Sequence, residues 1–346
     1  MKGDDLSVKL KDTQQYYHEV LKRISPKSHP VFEDPGMQER VWGRRWGVYD
    51  DVGPLKLVLV HRPGNEIKVM TKKKYDPSIE AMIDDDEQWY VLGEEPPNLE
   101  KMQEEHDQLM NILRKEDVEV VSVEGSPRDP KAMFTRDDGV AIQGGFVVGR
   151  MGAVGKFPGT GRRGEEAFVI KKIVELGMPI LRTIHGSGLF EGGSFSFLNE
   201  QNAVIGLSYR QNEEAVRQIE EVLRVQGTRL IRVPLVGYNI HIDVAIVMVD
   251  RDLALVNITQ LPYWFPETLN ELKIRFVDIH HADNFMVINC LAVRPGKVIM
   301  AINNGEGTAE RLMKNGVEVI PIDYSECQKS GGGIHCSTLP LIRERD

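Results

Sequence analysis

The chain is poor in cysteine, in aromatic residues and in long apolar runs, and it carries no excess of positive charge. Cys290, Cys327 and Cys336 are its three cysteines in 346 residues. They are too few for a disulfide framework or a four-cysteine zinc site, and their odd number favours free thiols in a reducing compartment. No stretch approaches the roughly 18 apolar residues of a membrane-spanning helix, and the opening MKGDDLSVKLKD has no apolar leader core. A formal net charge of -9 and a pI near 5.6 argue against a nucleic-acid or anionic-membrane surface, since phosphate binding needs a basic field. The run Lys72, Lys73, Lys74 reads as a solvated face. These absences predict a cytoplasmic protein with neither nucleic acid nor membrane as partner; a homo-oligomer is compatible with them.

With 41% hydrophobic and 27% charged residues, the chain can bury a sizeable core. From about residue 97 a pattern recurs: an amphipathic helical segment, then a short strand rich in Val and Ile. The strands read VEVVSV (118–123), MPILRTI (178–184), TRLIRVPLV (228–236), IRFVDI (274–279) and VEVIPI (317–322), starting 60, 50, 46 and 43 residues apart. Supersecondary units of such length stack along a solenoid or around an axis, and five of them suggest a closed ring. Between each strand and the next helix lie two apolar strands around a turn, as in VAIVMVDRDLALVNI or MVINCLAVRPGKVIMAI. Each unit is therefore mixed α/β. LKLVLVHRP (55–63) reads as the first hairpin strand, residues 1–53 as an N-terminal helical extension, 54–346 as one domain, and the acidic stretch 82–100 as a surface loop or lid.

The least core-like residues follow the repeated strands: FTRDDG (134–139), FEGGS (190–194), HID (241–243) and GGGIHC (331–336). In a ring of like units, equivalent loops gather at one end of the axis, which offers Asp137, Glu191, His241, Asp243 and Cys336 as one constellation. His335 is adjacent to Cys336, and neighbours in an extended segment point to opposite faces, so it is a poor proton acceptor for the thiol. His241 and Asp243, two apart, share a face; an imidazole assisted by a carboxylate can serve the thiol as general base. Three carboxylates crowded near a thiolate repel one another unless a cation sits between them. A planar guanidinium meets that demand, because its fixed N–H fork suits carboxylates and its central carbon is then held for attack by sulfur, with no metal or other cofactor required. Taken singly, EGG fits a turn and HID a strand start, and an isolated cysteine is more often an inert core residue. The glycine run sets Cys336 apart, because it lets backbone amides approach a reacting centre. His280, His281 and Asp283 lack further ligands at metal-site spacing and read as a structural loop.

FTRD, EGG, HID and GGGIHCST, in this order, resemble the guanidino-group-modifying enzymes: arginine deiminases, dimethylarginine dimethylaminohydrolases, agmatine deiminases and amidinotransferases. The similarity runs from about LKLVLVHRPGNE to the C-terminus. It implies a five-bladed α/β propeller, the pentein fold, with pseudo-fivefold ββαβ-type units. It also implies Cys336 as nucleophile, His241 as acid/base and Glu191 as its assistant, with Asp243 completing the catalytic set and joining Asp137 in gripping the guanidinium. Phe134 falls at the substrate in the same match. Ser194 stands where many members have Asp, although agmatine deiminases look similar here. GRRGEEA (161–167) and GLSYRQN (206–212) look like arginine deiminase segments whose arginines hold a substrate carboxylate, which nominates Arg163 and Arg210. Lys131 stands where arginine deiminases tend to have Asn. The expected activity is a cysteine-dependent hydrolase acting on arginine, a methylated arginine or a related guanidino acid through a covalent thiouronium. The alternatives are an amidinotransferase, in which an amine resolves the same adduct, and a non-catalytic propeller scaffold.

Overall fold

The computed structural model describes residues 13–25, 27–125, 129–152, 162–237, 239–303 and 305–345. Its organising unit is an antiparallel strand pair, a helix, and a third strand that returns parallel to the second. Unit two contains Gly139–Ile142, Gly145–Val148, the helix Glu166–Glu175 and Ile180–Thr183. Unit three follows with Phe195–Asn199, Asn202–Leu207, Glu213–Val225 and Arg229–Pro234. Unit four comprises Ile246–Asp250, Leu253–Val256, Phe265–Glu271 and Arg275–Asp278. Unit five comprises Leu291–Arg294, Lys297–Ala301, Glu306–Lys314 and Glu318–Ile322. In unit one the sequence pattern is broken. Leu55–Val60 is followed by the helix Leu99–Lys115 and Glu119–Ser122, but its antiparallel partner is Leu339–Arg343 from the other end of the chain. The expected hairpin at 55–63 is thus split across the chain, and its C-terminal strand closes the ring.

Local chemistry explains the elements. In the helix Glu213–Val225, Ala215, Val216, Ile219 and Leu223 lie on one buried stripe, Asn212 caps the Ala215 amide, and Glu213 and Glu214 sit in the first turn where the helix dipole favours anions. The first strands of the pairs are almost wholly buried, and contacts between those of units one and two, three and four, and four and five turn the sheets about a common axis. The third strands lie outermost and are partly exposed. The sheets bury their apolar faces against their own helices and neighbouring units, giving three contiguous apolar clusters.

Two further segments bear on the site. Before unit one come helices Gln14–Arg23 and Pro35–Trp42, then Trp46, Val48 and Val52, which are buried in the propeller's apolar clusters. Residues 1–12 of the expected extension lie outside the described residues. The acidic stretch is not a plain loop: Ala81–Ile83 pairs antiparallel with Tyr75–Asp76 and with Tyr90–Leu92 in a sixth small sheet. Met82 and Val91 anchor it in the core, with polar residues turned outward.

Candidate active site

The chain enters the hairpins of units two to five through short 3-10 turns at Thr135–Asp138, Gly192–Ser194, Ile242–Val244 and Phe285–Ile288. A fifth turn, 334–337, leads into the closing strand. Turns from successive units touch one another, so side chains some two hundred residues apart in sequence meet at one end of the axis. There a cavity of ≈ 80 Å³ has Cys336, His241, Glu191, Asp137, Phe134 and Arg210 among its lining residues, with Arg162, Lys131 and Tyr90 also in its wall.

The Cys336 thiol lies 3.6 Å from Asp243 Oδ2, and its backbone N–H donates to Asn289 Oδ1 at 3.0 Å. The glycine run is required by close approach. A Cβ on Gly332 would fall 2.5 Å from the Phe134 ring, and one on Gly333 would fall 2.7 Å from Asn289 Oδ1. His241 Nε2 is 2.8 Å from Glu191 Oε2, and its Nδ1 faces Asp137 Oδ1 at 3.5 Å. Gly193 permits that approach, since a Cβ there would meet both Asp137 Oδ1 and His241 Nδ1 within 3 Å.

These contacts set the charges. Burial alone would lower the His241 pKa, but Asp137 and the Glu191 hydrogen bond outweigh it and bring it to about 9, so the ring is an imidazolium at neutral pH. Burial opposes ionisation of Glu191, yet the same imidazolium and Arg210 hold its carboxyl at about 2. Burial raises the Cys336 thiol well above its ordinary range, and the negative charges of Asp243 and Asp137 push it further. Asp243 pairs with His335 Nδ1 at 2.8 Å, which outweighs burial and keeps the carboxyl ionised. His335 itself is lowered by burial and by Arg136, so a neutral ring donates Nδ1–H to that carboxylate. Asp137 and Asp243 each retain one buried oxygen, Oδ1, with no hydrogen-bond partner. Asp137 lines the cavity, where its free oxygen can receive a planar cation, whereas Asp243 is not among the cavity's lining residues and meets the thiol through Oδ2.

Several sequence expectations need correction. The imidazole paired with Asp243 is that of His335, not His241; the 3-10 turn rotates His241 towards Glu191 and Asp137 instead. Ser194 is fully buried, and its hydroxyl donates to the Ile240 carbonyl at 3.2 Å, so it braces the loop before His241 and does not face the cavity. Arg163 donates to the Met151 carbonyl at 3.4 Å and stays outside the cavity. Its neighbour Arg162 enters because buried Glu165 grips its guanidinium, leaving Nη1 on Asp137 Oδ2 at 2.5 Å. Arg210 does line the cavity, held by Glu191 at 2.9 Å.

Asn289, His335 and Arg162 were missed as site residues. Asn289 ends the fourth equivalent turn, the only signal that could have found it. Lys131, noted in sequence as a departure, donates to the Ser330 carbonyl and lies 4.3 Å from the Tyr90 ring centroid, joining the small sheet to the glycine run. Burial, then Arg162, lowers its pKa to about 7. Asp137, Glu191 and His241 bring one donor atom each within 4.8 Å of one another, the one metal-like set among the described residues. Its carboxylates already hold Arg162, Arg210 and the imidazolium. His280 and Asp283 face one another, and Asp283 caps the helix of unit five through Thr308.

Five ββαβ units around a buried cysteine, histidine and acid set define a guanidino-group-modifying enzyme of the pentein class, a C–N hydrolase or an amidinotransferase. A family model described as N,N dimethylarginine dimethylhydrolase, eukaryotic, matches residues 80–343, and the chain belongs to that family. It is 28% identical over 243 residues to the uncharacterized protein YkgA of Bacillus subtilis, covering 69% of this chain and 80% of that one. It is 22% identical over 421 aligned residues to arginine deiminase of Oenococcus oeni, covering 86% and 97%. Its fold matches dimethylarginine dimethylaminohydrolase of Pseudomonas aeruginosa in complex with citrulline, with a TM-score of 0.65, 20% identity and coverage of 84% of this chain and all of the other. It also matches inosamine-phosphate amidinotransferase of Streptomyces griseus, with a TM-score of 0.64, 16% identity and coverage of 87% and 97%. No helix among the described residues is long and apolar enough to cross a membrane.

Proposed function

We propose that the protein is a metal-independent cysteine hydrolase that converts a guanidino compound, such as arginine or a methylated arginine, into a ureido product. The observation that carries this reading is the pair of buried Oδ1 atoms on Asp137 and Asp243 that accept no hydrogen bond, with the other oxygen of Asp243 at 3.6 Å from the Cys336 thiol. A guanidinium seated between them supplies N–H donors to both oxygens and places its central carbon next to sulfur. Its positive charge also offsets the carboxylates that hold Cys336 protonated, so binding favours the thiolate, with the proton released to solvent.

The thiolate then adds to the guanidinium carbon. His241, already an imidazolium, gives its proton to the departing nitrogen as the C–N bond breaks, leaving an amidino group on sulfur and a free amine or ammonia. The neutral imidazole next takes a proton from water as that water adds to the same carbon. Collapse expels the Cys336 thiolate, and the hydroxyl proton is lost to that thiolate or to solvent, which yields the ureido product. Glu191 keeps Nε2 occupied, so that Nδ1 is the nitrogen turned to the reacting centre. Asn289 fixes the backbone of Cys336, and His335 holds the Asp243 carboxylate. The substrate binders are Asp137, Asp243, Phe134, Arg162 and Arg210. Membership of the dimethylarginine family and the citrulline complex of a structural relative support a ureido product over amidino transfer. The test is product analysis over a panel of guanidino compounds, with and without an added amine acceptor. Ureido product without acceptor is expected; product only with acceptor would replace the hydrolase by an amidinotransferase.

A further inference from the structure

Beside the small chamber lies a second, much larger space. It is a cleft of ≈ 830 Å³ walled by the loops of units three and four, and Tyr90, Arg210, Ile240 and Gly331 line both it and the chamber, so the two share a wall. In that wall Gly331 packs close to Tyr90: a Cβ on it would come within 3.2 Å of the hydroxyl. The chamber, at ≈ 80 Å³, takes a guanidinium and little more. The cleft falls within the range of about 300–1,000 Å³ typical of pockets that bury ligands of drug size.

From this adjacency we infer that the protein takes a guanidino group at the end of a long, uncharged tail carrying amides or rings, as in a peptide-bonded or N-acylated arginine, and seats that tail in the cleft. The inference rests on the guanidino reading of the chamber and specifies its substrate class. Three features select the tail. Aromatic rings line the cleft: Tyr90, which also lines the chamber, Tyr209, Phe285 and the tilted pair His280 and His281, whose ring centroids are 4.5 Å apart. Such faces suit planar amides and rings. Neutral amide side chains, Asn257 and Gln260, are among its polar lining groups. Its two carboxylates are committed within the protein, Asp278 to the Ile258 N–H and Asp283 to Thr308, while Arg210 in the shared wall is held by Glu191. A charged tail terminus would therefore have to compete for lining charges that the protein already engages.

The experiment compares arginine with N-benzoyl-arginine amide, first by calorimetric binding to Cys336→Ala and then by turnover in the parent protein. N-benzoyl-arginine amide is expected to bind at least about tenfold more tightly and to have the higher kcat/KM. Val236→Trp, which fills the cleft wall away from the chamber, is expected to remove that preference and leave arginine binding within about twofold. If the tryptophan weakens both ligands alike, His281→Ala, an exposed cleft position, decides: selective loss for the amide upholds the assignment, and no change in either ligand overturns it. Equal or tighter binding of free arginine to the unblocked protein also overturns the cleft assignment, and it leaves the chamber's chemistry untouched. Absence of ureido product from every guanidino compound overturns the chemistry instead, and the binding preference still decides the cleft.

Discussion

Cys290 and Cys336 are two buried thiols, each next to an equivalent turn of the propeller, and burial raises the pKa of both. Cys290, which directly follows the fourth turn, lies in an apolar cluster and is pushed up to about 12 by burial. Cys336 in the fifth turn is raised by burial together with Asp243 and Asp137, and it borders a cavity. What separates the two is whether the penalty can be removed. A cation bound between the aspartates offsets the part of it that they impose on Cys336, whereas Cys290 is raised by burial and has no such charged part. A resting pKa therefore does not identify the nucleophile; the removable part of its shift does.

The comparison would break most completely under Cys336→Ala, which is expected to abolish ureido product formation in a steady-state assay while Cys290→Ala retains it. Loss of activity in Cys290→Ala with activity kept in Cys336→Ala would reverse the assignment. Next in size is His241→Ala, expected to lower kcat by about 10²–10⁴-fold with ligand binding preserved, since its part is proton transfer. Because the His241 pKa is raised from 6.5 to about 9, the proton donor is present below that value, and kcat should fall as pH rises through about 9. The sign for stability is the same: the contribution of this ion pair is complete below the unfolded value near 6.5 and is lost as pH rises through about 9, readable from denaturation midpoints.

Asp137→Asn sharpens the point about removable charge. A charge-assisted contact is worth about 1.5–3 kcal/mol, so calorimetry should show at least tenfold weaker binding of a guanidinium and little change for a neutral ureido analogue. Equal losses for both ligands would make the aspartate structural. Alkylation provides a smaller and more direct contrast. A cationic chloroacetamidine should label Cys336 about tenfold or more faster than neutral iodoacetamide after correction for intrinsic reactivity, because only the former brings the offsetting charge, and a substrate should protect the site. Neither reagent should reach Cys290 in the folded protein, as peptide mass mapping would reveal. The smallest effect belongs to Cys290→Ala, where removal of one buried sulfur should cost about 1 kcal/mol in a denaturant titration with kcat unchanged.

The repeat was legible in sequence because each unit announces itself locally, through a Val/Ile-rich strand after an amphipathic helix. The ordered FTRD, EGG, HID and GGGIHC segments pointed to the turns that the fold brings together. The choice between Arg162 and Arg163 was not legible, because adjacent arginines differ only in which one reaches Glu165. The closing strand Leu339–Arg343 was missed because its partner lies nearly three hundred residues away. The small sheet at residues 75–92 was hidden by strands of two or three residues in an acidic segment, too short to show a period.

The sequence by itself determined the chemistry on offer: which turns carry a thiol, an imidazole and carboxylates, and that the thiol stands behind a run of glycines. Only the tertiary structure decided the pairings. It turned His241 to Glu191 and Asp137, gave Asp243 to His335, set Asn289 behind Cys336 and opened the large cleft beside the small chamber. The physical reason is range. Strand and helix patterns are set by burial of neighbours a few residues apart, whereas a buried charge takes whichever partner the closed ring brings within about 3 Å, however distant in sequence.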